Sequence, residues 1–127
     1  MRDLINNIGV VQALSQATLT STTNSAAFDL LGFESAGFVI SIGALTGTVT
    51  VKIQDSDTTA DADFNDSFYE YSPQGDYAIT LSANSLIKLG YWGFKRYIRL
   101  VFTVSSGASV VASAILIKGH PHERPVS

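Results

Sequence analysis

The stretch Lys95-Arg96-Tyr97-Ile98-Arg99-Leu100-Val101-Phe102-Thr103-Val104 decides how this chain is read. Its odd positions carry Lys95, Tyr97, Arg99 and Thr103; its even positions carry Ile98, Leu100, Phe102 and Val104. Successive side chains of a strand point to opposite faces, so a period of two predicts a β-strand with one dry face. Val101 is the one apolar residue on the wetter face. Gly107 then turns the chain, and residues 108–117 run back as a second apolar strand.

The same pattern recurs upstream. In Thr48-Val49-Thr50-Val51-Lys52-Ile53-Gln54 the aliphatic residues point inward, and Thr48, Thr50, Lys52 and Gln54 point outward. Residues 26–30 read as a first core strand, 32–35 as a turn, 36–42 as a strongly apolar strand and 43–47 as a loop. Phe68, Tyr69 and Tyr71 suggest a short strand, and 72–76 is a Pro/Gly/Asp turn. Residues 77–81 and 86–89 give two more short segments. No stretch has sustained helical periodicity, and no internal repeat is evident. Seven or eight short strands with turns between them predict an all-β fold, an antiparallel β-sandwich or jelly roll. Residues 1–24 read as a polar, extended N-terminal arm and 25–118 as the β-sandwich domain. Residues 119–127 read as a C-terminal tail that Pro121 and Pro125 bar from regular structure.

The 127 residues suffice for one domain with its own core. Cysteine is absent, which excludes disulfides, thiolate metal sites and cysteine nucleophiles and leaves the compartment open. Only 15% of residues are charged, against a usual quarter or so, while 46% are hydrophobic and mean hydropathy is +0.22. Such a surface is either partly covered in the working state or kept soluble by its Ser and Thr. Net charge is −3, and no basic cluster exceeds Lys95, Arg96 and Arg99, which argues against direct nucleic-acid binding. The first seven residues lack the apolar run of a signal peptide, and no run approaches the ~20 residues that span a bilayer. A soluble product without a membrane partner is expected.

Candidate chemistry is sparse. Asp55, Asp57, Asp61, Asp63 and Asp66 are spaced somewhat like a calcium loop. Ala60 stands where the turn requires Gly, however, and Asp66 where a bidentate Glu is needed. A solvated acidic loop without metal is the favoured reading. His120 and His122 lack a third ligand, and a Ser-His-Asp triad would have to recruit this tail. No Gly-x-Ser-x-Gly occurs and no carboxylate pair stands out. Neither an enzyme nor a cofactor is expected.

Gly90-Tyr91-Trp92-Gly93-Phe94 is the most unusual local sequence. Three readings stand: a packed start to the following strand, a set of protein-interface anchors, or a stacking platform for sugars or bases. Lys95 and Arg99 share the outer face of that strand, placed to pair with the acidic loop or with a partner's carboxylates.

Four stretches together resemble small tailed-bacteriophage virion proteins encoded beside the major capsid protein. They are Asn6-Asn7-Ile8-Gly9-Val10-Val11-Gln12; Val51-Lys52-Ile53-Gln54-Asp55-Ser56-Asp57 with Phe64; Gly90 through Arg99; and Lys118-Gly119-His120-Pro121. They occur in matching order across most of the chain. The resemblance implies a head decoration, or cement, protein: a small β-sandwich or jelly roll, made in the host cytoplasm, that binds the outer surface of the capsid. It implies the major capsid protein as partner, a homo-oligomer (dimer or trimer), and no catalytic residues. On that reading Leu4, Ile5, Ile8, Val10, Val11 and Leu14 form an arm that reaches a neighbouring subunit. Tyr91, Trp92, Phe94, Lys95 and Arg99 form a second interface. The alternatives are a carbohydrate-binding β-sandwich displayed on the virion and a tail or neck component.

Overall fold

The structure is a computed structural model; it describes residues 4–66, 70–71, 78–91 and 93–121. Side chains are not described at 70, 71, 78 and 121. The described residues are nearly all β, with two short 3₁₀ turns at Ile5–Asn7 and Asp61–Asp63 and no α-helix. The strands are β1 (Gly9–Leu19), β2 (Thr23–Asn24), β3 (Phe28–Asp29), β4 (Phe33–Thr46), β5 (Val49–Ser56), β6 (Asn65–Asp66), β7 (Glu70–Tyr71), β8 (Ala78–Thr80), β9 (Ser85–Tyr91), β10 (Tyr97–Val104) and β11 (Ser109–Pro121).

These strands form two antiparallel sheets. The first runs β1-β11-β4-β9-β7; the second runs β2-β10-β5-β6, with β3 also on β10 and β8 also on β5. Consecutive long strands lie in opposite sheets: β4 leads to β5, and β10 leads to β11, through tight turns. Gly47, at φ +79°, makes the first of these turns, and a Cβ there would come within 2.7 Å of Ala108 Cβ in the second. The two turns therefore pack side by side only because one of them lacks a side chain.

One hydrophobic cluster draws on both sheets. Phe38, Ile40, Leu89 and Leu116 come from the first; Val49, Val51, Ile53, Ile98, Leu100 and Phe102 come from the second, all at 1% exposure or less. Burying each such side chain stabilises the fold by roughly 1.5–3 kcal/mol. The expected inward sets of β5 and β10 are these residues, with Val104 only partly buried against the cluster.

Several boundaries differ from expectation. Residues 43–46, expected as a loop, continue β4, and the first core strand shrinks to Phe28–Asp29. The wetter face of β10 is buried at its centre, with Arg99 7% and Val101 6% exposed, while Thr103 stays exposed. Residues 9–19, expected within an arm, form an eleven-residue strand paired along β11, with Val11 opposite Leu116 and Leu19 opposite Val110. Ala13 and Leu19 enter the core. The tail begins later than expected, because β11 runs on to Pro121 opposite Phe33. Pro121 therefore lies within regular structure, at the last position of the strand. Just before it, His120 adopts φ +48°, and its Nδ1 lies 2.8 Å from Ser35 Oγ. The segments at 67–69, 72–77, 92 and 122–127, including the expected positions of Phe68, Tyr69, Trp92 and His122, lie outside the described residues.

Candidate functional site

The motif between β9 and β10 resolves into a buried half and an exposed half. Tyr91 ends β9 with its ring in the core at 5% exposure. Its hydroxyl donates to Asp55 Oδ2 at 2.9 Å, and the Lys95 backbone N–H donates to the same hydroxyl at 3.1 Å. Asp55 lies at the far end of β5 and is 7% exposed, so this bond ties the two sheets together. Burial pushes the phenol well above its ordinary range, and the neighbouring Asp55 carboxylate adds to that. A Cβ at Gly93 would overlap the Tyr91 hydroxyl, so glycine there permits the close approach. Tyr91 is therefore a structural residue of its own chain, not a surface anchor as expected.

Phe94 is the exposed half, at 79%. It lines a cleft of ≈ 260 Å³ together with Leu31, 68% exposed at the β3–β4 turn. Arg96 fixes that end of the molecule. Its Nε and Nη2 donate to the two oxygens of Asp29 at 2.9 and 2.8 Å. The guanidinium holds the Asp29 carboxyl below the usual range, aided by the Leu31 backbone N–H, while desolvation opposes the shift.

The acidic segment is solvated as expected, with residues 57–63 exposed, but it is tied down. It folds back over the outer face of the second sheet, and each aspartate has a partner in the same chain. Asp57 pairs with Lys95 Nζ at 2.8 Å. Asp61 Oδ1 accepts from Arg99 Nη1 at 2.8 Å, and Asp63 accepts from Thr58 Oγ1 at 2.6 Å. Asp66 accepts from Gln54 Nε2 at 3.0 Å and lies 2.9 Å from Lys52 Nζ. Those two donors, Gln54 first, lower the Asp66 carboxyl. Arg99 is the hub: its Nε and Nη2 share Gln54 Oε1 at 3.0 and 2.8 Å, and its guanidinium lies 4.2 Å from the Phe64 ring centre. Lys95 and Arg99, expected to face either the acidic loop or a partner, are both engaged by the loop. Phe64 was not singled out as a cover for Arg99. A lone aromatic within an acidic run was the available signal.

Of the expected arm residues, Leu4 and Ile5 are 64% and 76% exposed in and before the first 3₁₀ turn, and Val10 is 57% exposed on β1. Ile8, Val11 and Leu14 are half-buried, and Val11 and Leu14 pack on the core. Sequence reasoning also missed the outer face of the first sheet. Its exposed apolar residues include Val10, Ile115 and Leu86, on three different strands. That surface arises from register, which single strands do not announce. Comparison with known proteins finds no family model and no curated protein that matches this chain.

Proposed function

We propose that this chain is a virion structural protein that decorates and stabilises a bacteriophage capsid by binding the outer surface of the major capsid protein. On this reading it is a β-sandwich of jelly-roll type that acts as a homo-oligomer on the capsid exterior. The ordered sequence resemblance motivates the reading, and two facing antiparallel sheets are compatible with it. The observation that carries it is the pair of large apolar side chains, Phe94 and Leu31, both exposed and both lining one cleft. Exposed aromatics on a rigid base are the usual anchors of protein interfaces. The Arg96–Asp29 fork and the Tyr91–Asp55 bond supply that rigid base. A clip of this kind gains avidity by touching several capsomers at once and needs no enclosed pocket.

The test is binding of the purified protein to empty heads, followed by electron cryomicroscopy. Ordered density over the seams between capsomers is expected. Phe94→Ala should weaken binding by about 2 kcal/mol with the fold intact, because the side chain is exposed. Unchanged occupancy of the variant would remove Phe94 from the interface. Bare heads together with binding on a glycan array would favour the carbohydrate-binding alternative, with Phe94 as a stacking surface.

A further inference from the structure

The outer face of the first sheet carries its side chains in regular rows, set by pairing across β1, β11, β4 and β9. One row reads Val10, Ile117, Gly37, Gly90; the next reads Gln12, Ile115, Val39, Lys88. A third carries Ser113, Ser41 and Leu86. The first row carries large side chains on β1 and β11 and glycines on β4 and β9, beyond which it continues to Tyr71 of β7. Its two glycines floor a groove of ≈ 420 Å³, walled by Val39, Lys88 and Ile117.

We propose that a second copy of this chain docks face to face on this sheet, about a two-fold axis parallel to the strands between β11 and β4. That operation exchanges β1 with β9 and β11 with β4, and β7 lies beyond the exchanged strands. Val10 and Ile117 of one copy then lie over Gly90 and Gly37 of the other, so ridge fills hollow. Ile115 meets Val39, Ser113 meets Ser41, and Gln12 meets Lys88. An isologous contact requires this self-complementarity, and a face evolved for an unrelated partner has no reason to show it. Sheets packed face to face align within about 30°, which keeps the rows in register near the axis.

Charge and area point the same way. The chain carries −3, yet Lys88 is the one charge among the described strand positions of these three rows. Two acidic chains thus approach with little repulsion through this face. Four strands about 4.8 Å apart over about nine residues give on the order of 600 Å² in projection. A standard interface takes roughly 800 Å² per partner, so a reversible dimer is expected rather than an obligate one.

The experiment is sedimentation of the free protein across a concentration series, without capsids, so that it reads separately from the decoration role. Wild type should pass from monomer to dimer. Ser41→Arg, at an exposed polar position, places two guanidinium groups near the axis and should abolish the dimer while circular dichroism stays unchanged. Gln12→Glu should tighten the dimer about tenfold, because it adds two Glu–Lys88 contacts between copies. Within one chain those positions are three strand spacings apart, about 14 Å, so they cannot pair directly. A wild type that stays monomeric at the highest concentration overturns the proposal. So does an oligomer indifferent to both substitutions. A monomer whose Ser41→Arg variant loses binding to heads also overturns it, and would assign the face to the capsid instead.

Discussion

Tyr91 shows how one side chain can decide the fate of a motif. An aromatic between glycines carries no label for inside or outside. What places it is Asp55, a carboxylate at the inward end of β5 that needs a donor once buried. Tyr91→Phe keeps the ring and removes that donor, leaving a buried carboxylate short of a partner. The expected cost is about 1–3 kcal/mol, read as a lower urea midpoint with an unchanged slope. The same hydroxyl sets an alkaline limit. Its folded phenol is raised, so the unfolded chain loses that proton first as pH rises. The Tyr91 contribution is therefore present below about 10 and declines above it. Melting curves through the alkaline range should fall more steeply for wild type than for Tyr91→Phe.

At the scale of elements, the acidic segment and β10 explain each other. Arg99 is 7% exposed, and its guanidinium is covered by Phe64 and bonded to Gln54 and Asp61. Its pairing with Asp61 is lopsided: the Arg99 side chain is 9% exposed and the Asp61 side chain 92%. Water screens the Asp61 end, so the ion pair itself contributes little. Arg99→Ala should destabilise by about 2 kcal/mol or more, through lost packing and the stranded Gln54 carbonyl. Asp61→Ala should cost less than about 1 kcal/mol. Equal costs for the two substitutions would show that the salt bridge, not the packing of the loop on the sheet, holds this element down. The β1 strand makes a related point. Its apolar residues look weakly patterned because two register shifts, between Gln12 and Leu14 and between Leu14 and Ala17, break the alternation. Such irregularities erase the period of two that identifies a strand in sequence.

For the whole molecule, charge among the described residues gathers in four intrachain ion pairs and is sparse on the outer face of the first sheet. Stability toward acid should follow those pairs. Asp29 is lowered by the Arg96 hydrogen bonds, and Asp66 by Gln54 and Lys52. As pH falls the unfolded chain takes up these protons first. Their contribution is thus present above about 4 and lost as pH drops through the depressed folded values. Asp29→Asn and Asp66→Asn together should flatten the acid limb of a plot of unfolding midpoint against pH. An unchanged limb would place the acid sensitivity elsewhere.

The sequence by itself determined what alternation can express. Val49, Val51 and Ile53, and Ile98, Leu100 and Phe102, announce strands with a buried face, and the core contains them. Turn residues such as Gly47 and Gly107 mark where strands end, because positive φ is cheap only without a Cβ. Tertiary structure decided the rest. That β10 and β11 lie in different sheets, that β1 belongs to the body from Gly9, and that Arg99 is buried are outcomes of pairing between distant segments. The same holds for the rows of the open face, where Val10, Ile117, Gly37 and Gly90 come from four strands. Local patterning fixes which side of a strand is dry. Only closure of the sheets fixes which strands are neighbours and what, if anything, covers the other side.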